Sequence, residues 1–394
     1  MSGITALGTT YNLPNYSGIL YQLTPADTPF FSAIGGLSAG GGQATDYEFE
    51  WETFDLRDAA QNTVLEGQDA PTDQNRVRAN ASNILQIHQE TVGVSYTKQA
   101  ATQRKSGLNN GQSNPVLDEL DWQTEQMLKQ IVRDINWSFI NGVYQKPSDN
   151  TTARKTRGLL AAIASNVTDA AGGVTATGTA AASTDLITLS THGLVNGDTV
   201  TFSSVGAAAP LVAGQAYYVV NSSTNTFSVA RTKGGAAVNI SADGTVIWSK
   251  GVALTKNMVD DTLQLAYDNG GISELETATI LTGSAQKRAI TNVYSSAGYV
   301  TKELTGNVGG VNVTRIETDF GVLNVMLDRL MSQSSLAVVS MEQCQPVYLD
   351  VPGKGHMFQE PLAKTGAKDR NQIYGEVGLA YGNERAHAKI TNLK

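Results

Sequence analysis

One cysteine stands in the 394 residues, Cys344, so no disulfide can form within the chain and no cysteine metal cage can begin. This suits a protein made in a reducing cytoplasm. Histidine is nearly as scarce: His88, His192, His356 and His387 lie far apart, and none falls at a metal-ligand spacing. Charged residues make up only 16% of the chain. The net charge is −8, and the basic residues are scattered. A basic stripe, which supplies much of the affinity in nucleic-acid recognition, is therefore missing. No apolar run approaches the 18 residues of a membrane span. The opening MSGITALGTTYNLPNY lacks the charged and apolar regions of a signal peptide, so the chain is expected to be soluble and cytoplasmic when made.

Catalytic motifs are also missing. No Gly-x-Ser-x-Gly elbow occurs, and Gly283-Ser284-Ala285-Gln286-Lys287 is too short for a phosphate-binding loop. Asp319-Phe320-Gly321 copies a kinase triplet without the glycine-rich or catalytic loops, and reads as a turn between strands. Cys344 has no His or Asn context to mark it as a nucleophile. The sequence points to a non-enzymatic protein without a cofactor or metal.

What is present is a hydrophobic fraction of 41%, enough for a large core, on a surface rich in small polar residues. Residues 1–45 read as an extended arm. Pro14, Pro25 and Pro29 oppose helix, and Gly35, Gly36 and Gly40–Gly42 loosen the backbone, yet Phe30, Phe31 and Ile34 are strong apolar anchors. In Tyr47–Glu52 aromatics alternate with three glutamates, the period of a half-exposed strand. One row of carboxylates along a strand and no histidine beside it makes a solvated face a better reading than a metal site. A polar stretch, Glu66–Arg78, precedes a second alternating run from Ile84 to Tyr96, so a long hairpin with an exposed tip is expected.

Asn114 and Pro115 form a helix-start signal, with Asp118, Glu119 and Asp121 favouring the positive end of the dipole. Apolar residues including Leu120, Met127, Ile131, Ile135 and Phe139 then recur at helical spacing to near Tyr144. Arg133 falls off that stripe. Residues 166–184, nearly all Ala, Gly, Thr and Ser, read as a linker. Short strand-like runs follow at Leu186–Leu189, Thr199–Phe202, Tyr217–Val220, Thr226–Val229, Val238–Ile240 and Thr245–Trp248, with turn-forming residues between them. They indicate a small sandwich or barrel inserted in a loop of the main body. Beyond Lys256 helices at Met258–Asp268 and Ser284–Tyr294 mix with strands at Ala278–Leu281, Val311–Ile316, Val322–Leu327 and Leu336–Ser340, an α+β unit.

Three stretches carry a family resemblance. They are Thr24-Pro25-Ala26-Asp27-Thr28-Pro29-Phe30-Phe31, the order of arm, Glu-rich strand, hairpin, long helix and Arg157-Gly158-Leu159, and Glu360–Gly366 running on to Gly375-Glu376 and Asn383–His387. Together they resemble major capsid proteins of tailed bacteriophages with the Hong Kong phage shell fold. The resemblance implies an N-terminal arm (1–45), an extended loop region (46–104), a peripheral domain with a spine helix (105–166), an axial domain (253–345) and a C-terminal return to the peripheral domain (346–394). Residues 167–252 would be an inserted all-β module, Ig-like or barrel. It further implies self-assembly into homo-hexamers and homo-pentamers of an icosahedral virion shell. Portal, scaffolding or decoration proteins would be partners, packaged double-stranded DNA would be touched only non-specifically, and no membrane would be involved. Candidate inter-subunit contacts are Phe30, Phe31, Glu66, Arg76, Arg78 and Arg133. A competing reading is a carbohydrate-binding, adhesin-like surface protein presenting Tyr217, Tyr218 and Trp248.

Overall fold

The computed structural model describes residues 26–37, 41–70, 72–73, 75–101, 118–272, 278–296, 315–363 and 366–394. Pro14, Pro25, Asn114, Pro115 and Val311–Val313 lie outside them. The arm is not wholly extended: Pro29–Ala33 (α1) is a helical turn with Pro29 at its first position, where a missing N–H costs nothing. Gly42–Ala44 (β1) follows, then the antiparallel hairpin of Glu48–Phe54 (β2) and Arg78–Ile84 (β3). The expected second run is divided at Leu85. Only β3 returns along the hairpin, while Gln86–Ser95 (β4) leaves it for another sheet. In β4 the buried phase is His88, Val92 and Val94, and Ile87 faces out.

Tyr96–Ala101 (α2) precedes the long helix, Glu119–Asn141 (α3). α3 starts later than the Asn114-Pro115 signal suggests. Asp118 is extended, and its carboxylate accepts from the Leu120 and Asp121 N–H groups at 2.8 and 3.3 Å. Leu159–Ala162 (α4) and Val167–Asp169 (β5) come next. β5 lies in the stretch expected to be a linker. It pairs in parallel with Lys389–Thr391, more than two hundred residues away, a partnership that local composition cannot signal.

The module is a closed barrel of Ala176–Ala181 (β6), Leu186–Thr188 (β7), Thr199–Ser204 (β8), Ala216–Val220 (β9), Thr226–Ala230 (β10) and Gly244–Lys250 (β11). Closure removes edge strands and argues against an Ig-like sandwich. Val238–Ile240 forms no strand; only Ala237 bridges to Ala230. Phe202, Tyr217, Phe227 and Trp248 fill the interior, Phe227 meeting Trp248 edge-on at 5.2 Å. A Cβ on Gly178 would lie 2.9 Å from the Trp248 ring, so this wall must be glycine. Tyr217 and Trp248 are thus core residues with no face to offer a glycan, and of the three aromatics of the adhesin reading only Tyr218 is partly exposed.

The remaining elements are Lys256–Asp268 (α5), Ala278–Thr282 (β12), Ser284–Ser296 (α6), Arg315–Thr318 (β13), Gly321–Leu327 (β14), Leu336–Ser340 (β15), Gln345–Leu349 (β16), Met357–Pro361 (β17), Lys368–Ala380 (β18) and Ala388–Thr391 (β19). Asp319 and Phe320 form the turn between β13 and β14. Ser284 begins α6 without capping it. The first-turn N–H of Ala285 is satisfied instead by Gln333 Oε1 at 2.9 Å. One sheet runs β1-β16-β18-β17, with β4 also along β18, and a second runs β13-β14-β12-β15-β19-β5.

β12 and β15 are buried at every position, as strands covered on both faces must be. On β15, Ala337 and Val339 enter the core beneath α1, α3 and β18, while Leu336 and Val338 enter the core beneath α5 and α6. Two adjoining cores are therefore fused through one apolar strand, and the barrel has its own. Among the described residues no helix is long and apolar enough to cross a membrane.

Candidate assembly surfaces

The sequence-derived contact residues fall into two groups. Phe30 and Phe31 are fully buried inside their own chain, so they have no surface to give a neighbour. Phe31 meets Phe139 of α3 edge-on at 5.6 Å. Its N–H donates to Asn136 Oδ1 at 2.9 Å, and Asn136 Nδ2 donates to Asp328 Oδ2 at 2.9 Å. Asp27 adds a two-point contact with Arg329 Nε at 2.8 and 2.9 Å. The arm's apolar anchors thus clamp residues 26–37 onto the body. Fully buried Asn136 was missed in the sequence; its only signal was an amide within the apolar stripe of a helix.

Glu66, Arg76 and Arg78 are exposed on the hairpin, and Arg133 is half-buried on α3, donating to Gln130 Oε1 at 3.2 Å. Arg78 pairs across the hairpin with Glu52 at 2.7 Å, and Asn80 donates to Glu50 at 3.1 Å. Glu48 meets Lys146 at 2.6 Å. The glutamate row is therefore a polar face with partners of its own.

The root of the hairpin is fixed firmly. The Trp51 indole donates to the Gly382 carbonyl at 2.7 Å and packs edge-on against Tyr381 at 4.9 Å. Asn83, buried where β3 gives way to β4, donates to the Arg157 and Leu379 carbonyls and accepts from the Arg157 N–H at 2.9 Å. Beyond the root, among the described residues, support thins to one long ion pair, Asp55 with Arg385 at 3.8 Å. Phe54, Leu56, Val64, Leu65 and Val77 are large apolar side chains in solvent, with Leu65 79% exposed. A two-stranded ribbon is at best marginally stable by itself, and a run of exposed apolar groups marks an interaction surface.

The quoted motifs prove to be joints between elements. Gly158 must be glycine because a Cβ there would come within 2.5 Å of the Gly142 nitrogen. Arg157 stacks over Tyr144 at 4.4 Å and donates to the Tyr381 hydroxyl at 3.1 Å. Glu376 takes Arg154 at 2.6 Å. Glu384 accepts from the Ala164 and Ser165 N–H groups at 3.0 and 3.2 Å and from the Ser165 hydroxyl at 2.5 Å. Burial pushes the Glu384 pKa up, but these donors outweigh it and hold the carboxyl below its usual value. His387 accepts from the Ser340 N–H on Nδ1 and faces the Tyr381 carbonyl with Nε2, which defines its neutral tautomer; burial lowers its pKa. Burial raises the Cys344 thiol to about 12, so it is a core group and a poor nucleophile at neutral pH. Among the described residues no three His, Cys, Asp or Glu side chains come together in a metal-holding group.

A cleft of about 690 Å³ lies between the barrel and the body. Its barrel wall includes Val212 and Tyr218, and its body wall includes Trp137, Leu160 and Leu330. Below it the barrel is fastened to the body. Asp198, buried, meets Lys250 at 2.7 Å and Lys394 at 3.1 Å, and the Gly251 N–H donates to the Thr199 carbonyl at 2.8 Å.

Two fused cores, a long helix, a hairpin rooted at one end and an inserted barrel make a mixed α/β architecture of the phage-capsid kind. The capsid subunit of cyanophage A-1(L) superposes with a TM-score of 0.55 at 10% identity, over 97% of each chain. The capsid of a native GTA particle follows at 0.48 and 12%, over 100% of this chain and 99% of the other. A chain from Mycobacterium phage Cain follows at 0.49 and 9%, over 96% and 94%. No curated protein matches by sequence. The SU10 major capsid protein family matches residues 3–394, and the chain belongs to that family. It is a structural protein of a tailed-phage virion.

Proposed function

We infer that the protein is the shell-forming subunit of an icosahedral phage head, arranged as hexamers and pentamers around double-stranded DNA, and that it carries no catalytic activity. The observation that carries this reading is the family match along residues 3–394. The hairpin supports it, since apolar residues left in solvent by the folded chain need a neighbour. In the Hong Kong phage type of arrangement, the hairpin would be the extended loop and α3 the spine of the peripheral domain. The sheet containing β12 and β15 would form the axial domain, and β16–β18 the C-terminal return. The extended loop then covers β2, β3 and the span between them, and excludes β4. Net charge of −8 favours holding DNA without binding it tightly. Portal, scaffolding or decoration proteins would meet the assembled shell and not the single subunit.

The test is negative-stain electron microscopy with light scattering on the purified chain. Closed shells of uniform size are expected. A monodisperse monomer at every concentration and ionic strength sampled would refute the reading.

A further inference from the structure

The cleft between barrel and body has a lining of unusual charge. Acidic residues outnumber basic ones 36 to 28 in the chain, yet among the described residues no Asp or Glu lines this cleft, whereas Arg231, Arg329 and Lys389 do. Arg329 is taken up by Asp27 at 2.8 Å, and Lys389 donates to the Leu160 carbonyl at 2.7 Å, its pKa lowered by burial. Arg231 is exposed and holds no ion pair among the described residues. Trp137, Val143 and Val212 add apolar surface that the chain leaves in solvent. The cleft thus calls for something acidic and apolar together.

One segment of the protein has that chemistry. Between Asp58 and Asp73 stand four carboxylates, Asp58, Glu66, Asp69 and Asp73, and no Lys or Arg. At its centre Val64 and Leu65 are 66% and 79% exposed. The apex is already shaped: Gly67 sits at φ +79°, the Gln68 N–H donates to the Leu65 carbonyl at 3.1 Å, and the Leu65 N–H donates to Gln68 Oε1 at 3.1 Å. A turn ordered in advance lowers the entropy cost of docking. The described residues of the chain's own tip are all exposed, and none lines the cleft. The 23 residues between β2 and β3, folded back on themselves, can extend up to roughly 35 Å beyond the hairpin. We propose that the cleft receives the hairpin tip of a second copy, with Leu65 entering between Val212 and Trp137 and the tip carboxylates facing Arg231 and Lys389. The barrel then forms one jaw of an inter-subunit receptor. This rests on the shell reading above.

Cysteine cross-linking in assembled particles tests it. Cys344 is buried and stays silent. Particles of a Leu65→Cys, Val212→Cys double variant, mildly oxidised and run without reductant, should give a ladder of linked subunits. Leu65→Cys with Val174→Cys, an exposed position that does not line the cleft, should give none. In parallel, Arg231→Glu should cut particle yield several-fold at unchanged subunit melting temperature, and Glu66→Lys in the same chain should restore it. Intact particles with no ladder from Val212→Cys or from Tyr218→Cys, an equal ladder from the Val174 control, or full yield from Arg231→Glu would each overturn the proposal and leave the shell reading standing. Failure of the unmodified chain to form particles at all would instead sink the shell reading, and this proposal with it.

Discussion

Asn136→Ala probes the clamp that holds residues 26–37 on the body. Asn136 is fully buried and joins two elements, accepting from the Phe31 N–H and donating to Asp328 Oδ2, both at 2.9 Å. Removing the amide strands a buried donor and a buried acceptor. Each such group costs about 1–3 kcal/mol, so a loss of roughly 2–6 kcal/mol is expected. That is a large share of the ~5–15 kcal/mol by which domains are stable. The swapped pair, Asn136→Asp with Asp328→Asn, keeps one donor between the two side chains and leaves an oxygen for the Phe31 N–H, so it should recover most of the loss. Urea titration followed by tryptophan fluorescence measures both, with Trp137 next to the site in α3. A midpoint shift at unchanged slope would report stability itself. A loss below about 1 kcal/mol for Asn136→Ala, or no recovery in the swap, would refute the assigned network.

Ile131 lies in the core beneath α3, so Ile131→Asp should bury an unpaired carboxyl and cost several kcal/mol, whereas Arg133→Ala should stay within about 0.5 kcal/mol; thermal unfolding of the two variants compares them. Replacing the barrel by a short Gly-Ser linker from Gly173 to Gly251 should leave a soluble body, because both cuts spare β5 and β19. The cut from Ser165 to Gly251 also removes β5, and should lower the melting temperature further. Burial lowers the pKa of His88 from 6.5 to about 4, so the unfolded chain takes up a proton before the folded one does. The neutral-His contribution is present in full above about pH 6.5 and is lost as pH falls towards 4, at about 3 kcal/mol in all. His88→Leu should flatten stability against pH in that window, and an unchanged slope would count against this account.

Much of the layout was legible because local signals agreed with the fold. Asn196-Gly197 and Asp243-Gly244 punctuate the barrel, and the Leu336–Ser340 run reads as a strand, which it is. What escaped was decided at long range. Val167–Asp169 is three residues in a bland stretch, and becomes a strand only because Lys389–Thr391 lies beside it. The residues from Ile84 to Tyr96 read as one run, yet its phase slips between Ile84 and Ile87, and at buried Leu85 the chain passes from one sheet to the other. Asp118 reads in the sequence only as a residue favouring the helix dipole, yet its carboxylate reaches two N–H groups and caps α3 at Glu119. Phe30 and Phe31 announced burial but not against what. That was settled by Asn136, a polar residue whose place in a core no periodicity argument supplies.

The distribution of buried surface also separates what folding secures from what it leaves open. The barrel closes on a core of its own and is pinned to the second sheet by residues just beyond β19: Val252 bridges to Leu393, and Lys394 reaches Asp198. Burial pushes the Asp198 pKa up, but Lys250, the Val195 N–H and Lys394 outweigh it and keep it below the usual carboxylate value. A pinned barrel keeps the cleft walls at fixed separation, which a hinged module could not do. The hairpin is built on the opposite principle. Its root has Trp51 and Asn83, each with specific partners on the body, whereas the described residues from Leu56 to Val77 bond only within the hairpin. Rigidity at the root sets the direction in which the ribbon leaves the body, while the bare tip keeps its apolar and acidic groups available. In a closed shell the same interface must form at every subunit. A directed ribbon with an unsatisfied end meets that need, because its docking energy is realised only when a neighbour is present.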